Sequence, residues 1–270
     1  MKSLLLNANN DGGWNARLQV ALDISRAFGS HLNCVQAMPI IDAIGSPVWF
    51  VPYPDLAQNF IDAGEQHRAL AETRLQGEGV SWDWFSVTGE PSYAIVERSG
   101  LADLIVVSSP GGKSGGPADY DVPVAANICT HARGPVLAAP TQLKRFDPLG
   151  TALVAWNGSM ESAHALRLSL PMLAKATKVF VLTVTEDKTH KFPATEASAY
   201  LSRHDIASEL HCWDREGRKV ADVVLDAAST LGADYIVAGA YGHSRFREAV
   251  LGGATRGLLS DSPIPVLMAH

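Results

Sequence analysis

Short apolar runs alternate along the chain with longer stretches in which apolar residues recur at helical spacing. The first run, at residues 3–9, precedes a stretch that carries Ala16, Val20, Ile24 and Phe28. Nearly continuous apolar runs are typical of strands in a sheet that is covered on both faces. Strands that alternate with amphipathic helices indicate a parallel sheet with right-handed crossovers. The pattern therefore predicts an α/β fold.

The whole pattern occurs twice, which predicts two similar units. The apolar run at 3–9 returns at 151–157, and the run LADLIVV at 101–107 returns as GADYIVA at 232–238. Each half can be read as strand, helix, strand, helix, strand, helix, strand, loop, helix and strand. The predicted helices include residues 55–77, 91–100, 194–204 and 220–231.

We expect two tandem domains, residues 1–145 and 149–270, each with a five-stranded parallel, Rossmann-like sheet of strand order 3-2-1-4-5. The last strands, at 134–138 and 264–268, would then lie at sheet edges. Unpaired edges promote association. We therefore expect these two strands to pair within the chain, so that the domains form a pseudo-dimer. A homodimer of the whole chain is left open by the sequence.

Composition and charge exclude several classes of protein. The 270 residues are 47% hydrophobic, with a net charge of −6 and no basic tract, which disfavours binding to nucleic acid because such binding depends on neutralising phosphates. The three cysteines are widely separated and form no CxxC motif, so a reducing compartment fits. No apolar stretch approaches the roughly 18–20 residues of a membrane span, and the N-terminal run is too short for a signal peptide. We expect a cytoplasmic protein.

A glycine pattern follows the fourth predicted strand of the second half. The pattern G-x2-G-x9-G-G-x-T consists of Gly239, Gly242, Gly252, Gly253 and Thr255. Such glycines allow a left-handed turn, let backbone N–H groups approach a ligand and leave the start of the next helix open to phosphate. Ligands of open parallel sheets bind where the strand order reverses, between strands one and four. Asn157, which ends strand one, is therefore expected to flank the same crevice.

The second half resembles the universal stress protein family in its tandem two-domain form. The resemblance is carried by AWNGS at 155–159, GAYGHSRFRE at 239–248, LGGATR at 251–256 and PIPVL at 263–267. It implies a five-stranded α/β fold and, in some members, bound ATP with Mg²⁺. The nucleoside and phosphate contacts of those members fall here on Asn157, Val184, Gly239, Gly242, Gly252 and Gly253. The implied role is a stress-response signalling module that binds an adenine nucleotide in its second domain.

Two positions depart from the family pattern. Asn157 stands where the family has an acidic residue, which removes a charge that could bind ribose or a metal. Gly253 stands where a Ser or Thr would supply a phosphate hydroxyl, and Thr255 is the candidate substitute. The alternative is therefore a universal stress protein that binds another small ligand, or that only interacts with a partner.

The first half departs further, and we predict a degenerate, empty site there. Its corresponding segment, SSPGGKSGGPADYD at 108–121, has no glycine pair directly before the next helix, which is expected around residues 124–131. The GGKS at 111–114 lacks the first glycine of a P-loop. The segment 39–54 has no counterpart in the second half; it is read as a loop, with a ligand cap or a subunit contact as the alternative.

The sequence predicts no catalytic residue. No nucleophile lies in a recognisable arrangement with a base, and Asp222 and Asp226 are expected to be solvated carboxylates of a helix. Any ATP hydrolysis should therefore be slow or incidental. A slow ATPase is a further alternative, and it would need Glu248 beside the glycine loop.

No metal site is predicted either. His190, His204, His211 and Cys212 have irregular spacings, which favours surface histidines over zinc ligands. Cys212 is expected to be a small apolar packing residue of the third strand.

Overall fold

The computed structural model describes residues 1–38, 54–109, 121–185, 194–240 and 253–270. The strands and helices of the first half are β1 Ser3–Asn7, α1 Trp14–Phe28, β2 His31–Met38, α2 Pro54–Gln76, β3 Trp82–Thr88, α3 Pro91–Arg98, β4 Leu104–Ser109, α4 Asp121–His131 and β5 Val136–Pro140. Those of the second half are β6 Thr151–Ala155, α5 Met160–Leu173, β7 Lys178–Thr185, α6 Ala194–Ser202, β8 Glu209–Asp214, α7 Val220–Thr230, β9 Tyr235–Gly239, α8 Gly253–Asp261 and β10 Val266–Ala269.

The strands form one ten-stranded sheet in the order β3-β2-β1-β4-β5-β10-β9-β6-β7-β8. Within each half the neighbouring strands are parallel, and the order is 3-2-1-4-5. The predicted fold class is therefore confirmed. Each of the four predicted helices begins and ends within about two residues of its observed bounds, which is the usual uncertainty at frayed helix ends.

The two halves meet at β5 and β10, which run antiparallel. Leu137 lies opposite Leu267, with Val136 opposite Met268 and Ala138 opposite Val266. Both strands are buried along their whole length. The predicted pairing of the two last strands is therefore confirmed, and it removes one sheet edge from each half.

The core explains why the strands are continuous apolar runs. In β4, Leu104 and Val106 face one buried cluster, while Ile105 and Val107 face the other. Helices cover both sides of the sheet, so neither face of the strand is exposed. A strand with two buried faces needs apolar residues at consecutive positions, as the sequence pattern predicts.

Phe146 connects the halves beside the sheet. Its buried ring packs edge-on against Tyr235, with 6.0 Å between ring centroids. Its backbone N–H donates to the Asp23 carboxylate of α1 at 3.1 Å. A residue between the two predicted domains therefore contacts both of them. The domain bounds at 145 and 149 stay a prediction.

Several other expectations concern the surface. Cys212 lies in β8 as expected, but its side chain is exposed, so its predicted packing role is wrong. The reason is that β8 is an edge strand with only partial cover. Among the described residues, no helix has both the length and the apolar character needed to cross a membrane. Residues 39–53, which include nearly all of the unmatched segment, lie outside the described part of the chain.

Candidate functional site

A cavity of about 870 Å³ opens at the carboxyl ends of β6, β7 and β9. It lies where the strand order reverses, between β9 and β6, and its volume is in the range of small-molecule sites. Five of the seven predicted binding residues line it: Asn157, Val184, Gly239, Gly253 and Thr255. Gly242 and Gly252 lie outside the described residues. That the five bind a ligand stays a prediction.

Asn157 is held in place by the turn that leads into α5. Its side-chain oxygen accepts from the Ser159 N–H at 3.1 Å, and Gly158 between them has φ +69°. Ser159 in turn caps α5, because its hydroxyl oxygen accepts from the Ser162 N–H at 3.2 Å. The exposed Asn157 therefore presents a neutral amide at the mouth of the cavity, in a position set by its own loop.

The backbone at Val184 is more open than its counterpart in the first half. In each half, a last backbone hydrogen bond joins the first strand to the second near their carboxyl ends. Ala37 in the first half and Val184 in the second lie two residues beyond the residue of the second strand that accepts this bond. The Ala37 N–H donates to the side-chain oxygen of Asn9 at 2.7 Å. Within the described chain, no side chain is hydrogen bonded to the backbone of Val184. Among the described residues, this strand edge therefore has a side-chain partner in the first half and none in the second.

Gly239 is required by packing. A Cβ at this position would lie 2.6 Å from the Ser162 nitrogen and 2.7 Å from the Glu161 carbonyl carbon. Its φ is not positive, so the expectation that it makes a left-handed turn is wrong. The absence of a side chain instead lets the start of α5 approach the end of β9 closely.

Gly253, the first residue of α8, has different surroundings. A Cβ there would meet no atom of the described residues within 4 Å, so a side chain would project away from them. Two residues on, Thr255 is buried in the first turn of α8 and lines the cavity. The helix therefore begins at the cavity wall, with its first N–H groups near the space that a ligand would occupy.

Charged residues that the sequence reasoning missed also line the cavity. Arg215, Lys219 and Arg256 line it together with Asp222 and Asp261, so cations outnumber carboxylates among the described lining residues. Asp222, which we expected to be merely solvated, therefore borders the site. Asp226 forms an exposed ion pair with Arg218 instead.

A comparison of helix caps could have indicated Lys219. In the first half, the Glu90 carboxylate caps α3 by accepting from the Ser92 N–H at 3.0 Å and the Tyr93 N–H at 2.9 Å. At the same place in the second half, Lys219 precedes α7 and makes no capping hydrogen bond with its side chain. A cation at an N-cap is unfavourable for the helix, which is a sign of another role.

The described residues contain no group of three or more His, Cys, Asp or Glu that could hold a metal ion. His190, one of the four residues weighed for zinc, lies outside them. His211 packs edge-on against Phe180, with ring centroids 5.1 Å apart, and lies 4.0 Å from the Glu209 carboxylate.

The first half has a smaller cavity at the corresponding place, of about 360 Å³. It is lined by Asn7, Asn9, Asp11, Arg17, Glu90, Pro91, Ser108 and Val124. Residues 110–120, which include the GGKS segment, lie outside the described chain. Arg17 extends into this crevice. That the first half holds no ligand stays a prediction.

Comparison with known proteins agrees with this architecture. The model of the universal stress protein family matches residues 149–270. The second half of the chain belongs to the universal stress protein family. A search of curated proteins found no match for the chain.

Solved structures extend the likeness to both halves. A universal stress protein from Archaeoglobus fulgidus DSM 4304 is 15% identical, with a TM-score of 0.76, and the match covers 99% of this chain and 95% of that one. A protein of unknown function from Pseudomonas aeruginosa PAO1 is 19% identical, with a TM-score of 0.61, and the match covers 100% and 92%. At these identities the likeness shows only the fold, and it does so for the whole chain. The match to the universal stress protein family itself is limited to the second half.

Proposed function

We propose that this protein binds an adenine nucleotide, ATP or a close relative, in the cavity of its second half. The observation that carries the proposal is that the cavity gathers all five described residues predicted to bind, and that cations predominate among its charged lining. The nucleotide acts as a regulatory ligand in a stress response. The chain would be a tandem protein, with 1–145 as a structural domain and 149–270 as the binding domain.

The base is placed at the open edge of β7. The backbone of Val184 can donate and accept hydrogen bonds, and the described chain supplies it with no side-chain partner like Asn9. An adenine ring offers both an acceptor nitrogen and an amino donor along one edge. The half-buried side chains around this point supply apolar contact for the ring.

The phosphates are placed at the start of α8. Its first N–H groups, the Thr255 hydroxyl and the side chains of Lys219 and Arg256 border this part of the cavity. Mg²⁺ keeps several waters and is commonly held through the phosphates. The neutral Asn157 oxygen therefore suits a metal that arrives with the nucleotide better than one bound by the protein alone. Bound with ATP, the metal would neutralise phosphate charge.

We place this role in the cytoplasm, where buried free cysteines such as Cys34 and Cys129 remain reduced. Burial raises the pKa of both thiols to about 12, so neither is a reactive thiolate at neutral pH. We do not assign them a part in binding.

The test is titration calorimetry of the whole chain with ATP and Mg²⁺, with Gly253→Glu as the variant. The new carboxylate enters open space beside α8 and repels phosphate, so affinity should fall by at least about tenfold. Gly100→Glu is the matched control, because a Cβ at this first-half position also meets no atom within 4 Å in the described part of the chain.

Two outcomes contradict the proposal: an equal loss in both variants, and no binding by the unchanged protein. The second outcome would favour a universal stress protein that binds another small ligand or only a partner. ATP turnover that Glu248→Gln abolishes would instead favour a slow ATPase.

A further inference from the structure

Arg17 is a fully buried cation at the carboxyl ends of β1 and β4. Its side chain leaves α1 and donates to the carbonyl oxygens of Asn7 at 2.5 Å and Asn9 at 2.9 Å. It also donates to the Ser108 hydroxyl at the end of β4. The guanidinium thus bridges the two strands between which a ligand of this fold would enter.

Asp11 neutralises this cation. Its two carboxylate oxygens each accept from a separate guanidinium nitrogen of Arg17, both at 3.0 Å. This is the bidentate geometry that matches the planar fork of arginine. A buried charge is stable only when it is paired and hydrogen bonded, and Arg17 meets both conditions.

Two other polar groups beside the first crevice also have partners from the chain itself. The Ala37 N–H, at the position that Val184 occupies in the second half, donates to Asn9. Glu90 caps α3 where Lys219 leaves α7 uncapped. Among the described residues, the first crevice therefore has internal partners at these two places, and the second one does not.

The corresponding turn of α5 carries no arginine; Ser162 and Ala163 stand there. The cavity beside that turn measures about 870 Å³, against about 360 Å³ beside Arg17. We propose that Arg17 is a permanent internal occupant of the first-half crevice, and that its guanidinium, held by Asp11, excludes nucleotide from this half. The last part rests on the proposed function, whereas the occupancy itself does not.

The occupancy is tested by chemical rescue in the full chain without nucleotide. Arg17→Ala removes the cation, leaves the Asp11 carboxylate without its counter-ion and takes the Arg17 donors away from the Asn7 and Asn9 carbonyl groups, so Tm should fall by about 10 °C. Methylguanidinium chloride should recover part of this loss compared with sodium chloride at equal ionic strength. It should not raise the Tm of the unchanged protein or of Arg26→Ala, in which an exposed arginine of the same helix is removed.

An unchanged Tm in Arg17→Ala, or a recovery no greater than that in sodium chloride, would overturn the proposal. If Arg17→Ala does not fold, Arg17→Lys replaces it as the test. A lysine keeps the charge but cannot make the two parallel hydrogen bonds to Asp11, so the Tm of this variant should lie below that of the unchanged protein. An equal Tm overturns the proposal.

The exclusion of nucleotide is tested by binding stoichiometry. We expect one nucleotide per unchanged chain, and two would overturn the exclusion. No bound nucleotide at all would contradict the proposed function, while successful rescue by methylguanidinium would still support Arg17 as the internal occupant.

Discussion

His67 shows how a single buried residue links stability to pH. Its imidazole is buried in α2, 3.0 Å from the Ala8 carbonyl oxygen and edge-on to Trp14 at 4.9 Å. Burial lowers the pKa of His67 below its ordinary value of 6.5; the Ala8 hydrogen bond opposes this shift, Arg17 adds to it, and Asp11 opposes it. The folded protein therefore favours the neutral ring.

This shift predicts a loss of stability in acid. Because the folded-state pKa is the lower one, the unfolded chain takes up the proton first as the pH falls below about 6.5, and the free energy of unfolding decreases until the folded-state pKa is reached. Urea unfolding between pH 7.5 and 5 should show a shallower decrease in His67→Gln. His131→Gln, at an exposed position of α4, serves as control. Parallel pH profiles for the unchanged protein and His67→Gln would contradict the prediction.

At the scale of single helices, the two halves differ in how the starts of α3 and α7 are capped. The start of α3 is capped by Glu90, and the start of α7 follows Lys219 without a side-chain cap. The first arrangement stabilises its helix, and the second places a cation at the wall of the larger cavity. The two halves therefore share a fold, but the residue before the corresponding helix stabilises that helix in the first half and lines the cavity in the second.

Lys219→Glu should separate stability from binding. The carboxylate can cap α7 as Glu90 caps α3, which should raise the free energy of unfolding by about 0.5–1 kcal/mol. The same change replaces a cation by an anion at the cavity wall, so ATP affinity should fall by about tenfold. Urea unfolding and calorimetry measure the two effects.

The control for this experiment is Lys144→Glu, which makes the same charge change at an exposed position between the halves. It should leave both quantities nearly unchanged. A drop in affinity of equal size in the two variants would show that net charge, and not the place of Lys219, controls binding.

At the scale of the molecule, one sheet and a shared core make the halves depend on each other. The β5–β10 pairing continues the sheet through both halves, and the larger apolar cluster includes residues of each. Phe146 lies between them, packed on Tyr235 and bonded to Asp23. We therefore expect the chain to unfold as one unit.

Phe146→Ala tests this cooperativity. Loss of the buried ring should lower the free energy of unfolding by about 3–5 kcal/mol. Hydrogen exchange should accelerate in β1 and β6 together, since both halves lose the same contact. Phe60→Ala removes a half-exposed ring of α2 and should cost much less. Acceleration in only one half would contradict a single unfolding unit.

The pattern of apolar and polar residues along the chain determined the strands and helices of this protein. Apolar runs and helical periodicity depend on neighbours in the chain, so the strands, the four predicted helices and the repeat could be read from the sequence. The parallel sheet followed from the alternation of strands and helices, and the pairing of the last strands followed from the need to cover sheet edges. The glycine pattern and Asn157 indicated that the candidate site lies at one end of the sheet, because residues that end parallel strands meet there.

The tertiary structure alone decided how the two crevices differ. Arg17 is an ordinary helix residue in the sequence, and only folding brings it against Asn9, Asp11 and Ser108, which lies 91 residues away. Likewise Lys219 and Asp222 border the cavity only because α7 begins at the same end of the sheet as α8. Local pattern specifies elements because it acts between near neighbours. Which side chains meet, and so which crevice is closed, depends on contacts between residues far apart in the chain.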